Sequence, residues 1–147
     1  MQNLSTAEEK TLRALLGLMI PASVEYGVPA ADDPEIFADI VASTGQDGAV
    51  ICALLRDLDA PSSGAFTDLD LITQQDVAAK FLTSRDPRLG ALNRVVLQCY
   101  YRDARVMKSL GMEVRPPFPQ GYVVEQGDWT LLEPVQRRPK VYRDVPC

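Results

Sequence analysis

Histidine is missing altogether from this sequence of 147 residues. With it goes the one side chain whose ordinary pKa lies near neutrality, and so Ser–His–Asp and Cys–His catalysis and imidazole ligation of metal or haem. Acid–base chemistry by a carboxylate, lysine or tyrosine stays open. Cysteine is scarce: Cys52, Cys99 and Cys147 are far apart and odd in number. No CxxC pair exists, which argues against zinc or iron–sulfur ligation within the chain. Cys52 and Cys99 sit among apolar residues in helical patterns, where a buried thiol is expected; Cys147 is terminal and expected to be exposed. The glycines are isolated, with no G-x-G-x-x-G or G-x-x-x-x-G-K-[ST] pattern to cradle a phosphate.

Long apolar runs are also lacking. The stretch Leu12 to Pro21 is broken by Arg13 and is too short to span a bilayer. The opening MQNLSTAEEK shows no basic region, twin arginine or apolar segment before a cleavage site. A soluble, cytoplasmic protein without a membrane span is expected. Charge is unevenly spread: residues 1–84 hold four Lys/Arg against thirteen Asp/Glu, and residues 85–147 hold eleven against seven. Such an asymmetry suggests a polarised contact surface. The arginines are scattered and interleaved with acids, unlike a nucleic-acid footprint, so no nucleic-acid partner is expected.

What is present reads as helix. Ser5 or Thr6 with Glu8 or Glu9 predicts a capping box, followed by Leu12, Leu15, Leu16 and Met19 on one face up to Pro21. Asp33-Pro34-Glu35 starts a second helix with Ile36, Phe37, Ile40 and Val41 inward, until Gly45 to Gly48 breaks it. A third buries Val50, Ile51, Leu54, Leu55 and Leu58, and a fourth is expected to be capped by Thr73. The fifth starts at Asp86-Pro87 and runs to about Arg102, and a sixth spans Asp103 to Leu110 before Gly111. No segment alternates with period two between hairpin turns. The expected fold is all-α: a compact bundle of about six helices in residues 1–115, with an extended proline-rich arm over residues 116–147.

The arm holds six of the eleven prolines together with Phe118, Tyr122, Tyr142 and the only tryptophan, Trp129. Prolines rule out a long helix or a central strand there, and aromatics are unlike a disordered linker. Its large side chains are expected to bury against the chain's own helices or against a partner. Arg137, Arg138 and Lys140 beside Trp129 and Tyr142 fit the basic rim of an interface better than a small-anion site. Tyr100-Tyr101-Arg102-Asp103 offers a phenol and a carboxylate, but a helix end with Asp103 as the next cap accounts for it. Asp57, Asp59, Asp68 and Asp70 lack the order and closing glutamate of an EF-hand and read as solvated loop charge.

Three stretches in order resemble the gluconate 2-dehydrogenase subunit 3 family. They are Leu15-Leu-Gly-Leu-Met-Ile-Pro21 with the Gly27-Val-Pro-Ala loop and Asp33-Pro34; Tyr100-Tyr-Arg-Asp-Ala-Arg-Val-Met-Lys-Ser-Leu-Gly111; and Pro116-Pro-Phe-Pro-Gln-Gly-Tyr122 with Val141-Tyr-Arg143. Residues 45–85 match least distinctively. The resemblance implies a small, non-catalytic helical subunit that supports the folding, stability or export of a larger glucose-methanol-choline-type flavoprotein. That partner would hold FAD and oxidise a sugar, sugar acid or other alcohol, and a cytochrome c subunit can take the electrons onward. Many members resemble twin-arginine export substrates, whereas this chain shows no such signal; it would be cytoplasmic, or periplasmic if exported with its partner. Taken with the resemblance, the candidate partner-binding residues are Pro117, Phe118, Tyr122, Trp129, Arg138, Tyr142 and Arg143. A stand-alone helical adaptor and a small carboxylate or tyrosine enzyme are the competing readings. The isolated chain is expected to bind neither flavin nor metal; stoichiometric flavin absorbance or bound zinc in purified protein would overturn this.

Overall fold

The computed structural model describes residues 4–60, 65–115, 121, 123, 125–139 and 141. The protein is all-α, and its contacts divide it into a unit Met1–Val114 and a unit Arg115–Cys147. The first unit holds α1 (Thr6–Met19), α2 (Pro34–Ser43), α3 (Gly48–Asp59), α4 (Leu71–Leu82), α5 (Leu89–Arg102) and α6 (Ala104–Ser109). Among the described residues there is no strand, only a bridge between Ser23 and Val28, and no single helix is long and apolar enough to cross a membrane.

Helix ends follow from local hydrogen bonding. Ser5 accepts from the Glu8 N–H while the Glu8 carboxylate takes the Ser5 N–H at 2.8 Å, the expected capping box. Asp33 caps α2, with Pro34 at a position that needs no N–H. Gly111, at φ +72°, lets the Met112 N–H return to the Met107 carbonyl at 2.9 Å and closes α6. Two expected starts differ. Asp70, not Thr73, caps α4: its carboxylate accepts from the Ile72 and Thr73 N–H groups, and the Thr73 hydroxyl donates to it at 2.6 Å. A carboxylate three residues upstream is the stronger acceptor, so Thr73 falls inside the helix. Asp86-Pro87-Arg88 forms a tight turn of i→i−3 bonds, and α5 begins only at Leu89.

The core is built from α1, α2, α3 and α5. Leu12, Leu15 and Leu16 of α1, Ile36 and Ile40 of α2, Ile51, Leu54, Leu55 and Leu58 of α3, and Leu92 and Val96 of α5 are almost wholly buried. Each such side chain contributes roughly 1.5–3 kcal/mol of transfer free energy. α5 packs on both α2 and α3, and α1 on α3 and α4. α4 is the least committed, with Ala78 alone fully buried and Leu71 and Ile72 exposed.

The uneven charge has an internal use. Arg88, Arg94, Arg102 and Arg105 pair with Asp57, Asp47, Asp39 and Asp33 respectively, an antiparallel ladder between the α5–α6 segment and the α2–α3 segment. Four of the eleven basic residues between 85 and 147 are thereby paired within the unit, so part of the asymmetry serves as a register device. Two of the acids expected to be solvated loop charge are structural, and Asp59 is the last residue of α3. Asp59 accepts from the Thr11 hydroxyl and the Phe66 N–H, and Asp68 from the Ala65 N–H.

Arg105 holds the carboxyls of Asp33 and Asp103 below their ordinary range; Arg102 does the same for Asp39, and the Ser5 N–H for Glu8. A carboxyl whose folded pKa is depressed adds stability above its unfolded pKa and loses it as pH falls through the folded value. Thermal stability should therefore fall progressively as pH drops below about 4, the unfolded carboxyl range. Asp39→Asn should lower the melting temperature at pH 7 and flatten that acid limb; a limb of unchanged steepness would remove the ladder as its source.

Candidate functional site

Two surfaces, one in each unit, gather the features that an interaction site requires. In the second unit Asp128 starts a helical segment by accepting from the Thr130 N–H at 3.0 Å and the Thr130 hydroxyl at 2.6 Å. The chain then runs through a 3-10 turn, Trp129–Leu132, directly into α7, Glu133–Gln136. Pro134 is tolerated because the first turn of a helix leaves its N–H groups free. This part of the arm, expected to be extended, is therefore a short helix. Trp129, Leu131, Leu132 and Val135 are all exposed on it, Trp129 by 69%. The indole N–H points to Gln126 Oε1 at 3.4 Å, and Arg137 closes the far end on Glu133 at 2.9 Å. Arg138 follows, exposed. Of the remaining candidates, Pro117, Phe118, Tyr122, Tyr142 and Arg143 lie outside the described residues.

In the first unit the end of α1, the following loop and the α5–α6 junction enclose an apolar groove of about 290 Å³. The loop is fastened at several points. Ser23 and Val28 exchange backbone hydrogen bonds at 3.0 Å around Gly27, whose φ of +62° makes the turn. The Ala31 N–H donates to the Ile20 carbonyl at 2.9 Å. From α5, the buried Tyr100 hydroxyl donates to the Pro29 carbonyl at 3.0 Å. Tyr101 stands edge-on to Tyr100 with ring centroids 5.5 Å apart and remains exposed, as do Tyr26 and Leu110 across the groove. The first two stretches singled out in the sequence thus meet at one place, Ile20-Pro21 and the Gly27 loop against Tyr100 to Leu110. Sequence reasoning missed this groove: its two sides are more than seventy residues apart, and the tyrosines carried no period that foretold it.

The phenol and carboxylate at the α5–α6 junction are occupied structurally. Tyr100 is a donor to Pro29, and burial pushes its pKa up. Asp103 caps α6 and holds Arg105. Burial likewise raises the thiol pKa of Cys52 and Cys99, the unreactive setting expected of them; Cys147 lies outside the described residues. A second, polar hollow beside Ser43, Gln46 and Gln98 contains the Arg94–Asp47 pair at 2.6 Å. Among the described residues no three His, Cys, Asp or Glu side chains converge in a way that could hold a metal ion.

Tyr100→Phe removes the tie between α5 and the loop and leaves the Pro29 carbonyl without its donor. It should cost about 0.5–1.5 kcal/mol in chemical denaturation while the circular dichroism of the folded state stays the same. An unchanged midpoint would mean that the bond does not hold the groove together.

No protein-family model, curated protein or solved structure matches the chain.

Proposed function

We propose that this chain is a non-catalytic small subunit that binds and stabilises a larger flavin-dependent dehydrogenase of the glucose-methanol-choline type. FAD and the sugar or alcohol substrate would belong to that partner, and a cytochrome c subunit can complete the assembly. The observation that carries the reading is the ordered set of three stretches resembling the gluconate 2-dehydrogenase subunit 3 family. Two further features support it. The chain has no histidine, and the buried phenol of Tyr100, beside the Asp103 carboxylate in sequence, is tied into helix packing. Among its exposed apolar side chains, Tyr26, Tyr101 and Leu110 meet at a groove and Trp129, Leu131, Leu132 and Val135 lie along one short helix, and clustering of that kind marks interaction surfaces.

A stand-alone helical adaptor would present similar surfaces, and the choice of partner separates the two. Co-expression with the glucose-methanol-choline-type dehydrogenase encoded nearest to it in the same genome should yield a stable complex and raise the soluble yield of flavin-loaded large subunit. Expressed alone, the chain should be poorly soluble or only marginally stable. A flavoprotein that folds, retains its flavin and never co-elutes with this chain would overturn the proposal.

A further inference from the structure

The short helix of the second unit carries more information than exposure alone. Trp129, Leu132 and Val135 recur three residues apart, with Leu131 beside them, so that two consecutive turns present a continuous apolar face. The segment is capped at its start by Asp128 and braced at its end by the Glu133–Arg137 pair, so it is ordered without burying any of these side chains. An ordered helix with exposed anchors at such spacing has the geometry of a ligand for a hydrophobic groove.

Charge indicates what borders that groove. Residues 134–143 hold four Lys/Arg and no Asp/Glu, in a chain whose net charge is −5. Arg137 is engaged by Glu133, and Arg138 comes next in the same basic stretch. A complementary surface therefore needs apolar side chains for the helix face and carboxylates opposite its C-terminal end. Other occupants fit less well. The groove of a second copy has no Asp or Glu among its lining residues to meet Arg138. An anionic bilayer would attract the arginines but repel Asp128 and Glu133 within the same two turns, and a helix this short brings few apolar residues to the membrane interface.

We propose that Trp129–Gln136, with Arg138 at its end, is the docking helix of this subunit, and that it inserts into an apolar groove rimmed by Asp or Glu on the flavoprotein partner. The inference rests on the proposed function and specifies its mode of contact: a helix in a groove, with Trp129 as the central anchor. Trp residues so placed commonly dominate interface energetics.

The test is affinity between the full-length chain and the co-expressed flavoprotein, measured for wild type, Trp129→Ala, Leu132→Asp and Arg138→Glu. The first two should each weaken binding by about tenfold or more, as loss of a hot spot does. Arg138→Glu should weaken it at low salt and blunt its dependence on ionic strength. Circular dichroism should match wild type in all three, since the altered side chains lie on an exposed face. Wild-type binding that survives all three substitutions would overturn the docking helix and leave the subunit assignment standing. Helix content lost together with binding would overturn it as well, by making these residues structural. A wild-type chain that does not bind the flavoprotein would bring down both. Trp129-dependent binding to phosphatidylserine vesicles, or Trp129-dependent self-association in sedimentation, would replace the protein groove with a bilayer or a second copy.

Discussion

The apolar stripe of α5 has to be covered from two sides, and most of the first unit follows from that requirement. Leu92, Val96 and Cys99 are buried together with residues of both α2 and α3. Two short helices must therefore lie beside one longer one. The 3-10 turn Gly45–Asp47 between them supplies the bend, with Gly45 at φ +47°. α1 then packs on α3 and α4, and the leucines of α1 and α3 complete the core.

The acid–arginine ladder sits on the rim of this packing. Its members are largely solvent-accessible, and pairs of that kind are individually worth little. Their value is in register. Ascending arginines meet descending aspartates, so sliding α5 by one turn against α2 and α3 would separate all four pairs at once. Apolar burial drives association but is non-directional; the ladder supplies the direction. The same device leads α5 into α6, because Arg105 bridges Asp33, the cap of α2, and Asp103, the cap of α6.

That junction creates the groove. Once α5 is placed, Tyr100 reaches the Pro29 carbonyl and draws the loop after α1 against α6. The buried tyrosine anchors while its exposed neighbour faces outward, a division of labour between two adjacent identical residues. The proposed subunit role uses the molecule where its core rules stop applying. In the first unit the exposed apolar residues Tyr26, Tyr101 and Leu110 cluster at the groove; in the second, helix order comes from Asp128 and from the Glu133–Arg137 pair, and the described residues of that helix are all exposed.

By itself the sequence determined the helical class, the order of α1 to α6, the caps at Ser5, Asp33 and Asp103, and most of the core, though not Phe66. Those properties rest on interactions between residues within a few positions of each other, and Ser5 with Glu8, Asp33 with Pro34, and the leucine periods of α1 and α3 are all local. Local competition already blurred two starts, where the Asp70 carboxylate displaced Thr73 as the cap and Pro87 made a turn before α5. The arm shows the same limit: its prolines excluded a long helix, but a cap at Asp128 and a proline within the first turn still permit a short one. The tertiary structure alone decided that Arg102 and Arg105 serve Asp39 and Asp33, that Tyr100 ties down Pro29, and that a groove opens between Pro21 and Leu110. Each of those depends on the spatial meeting of groups 63 or more residues apart, and no period or cap in a linear sequence encodes such a meeting.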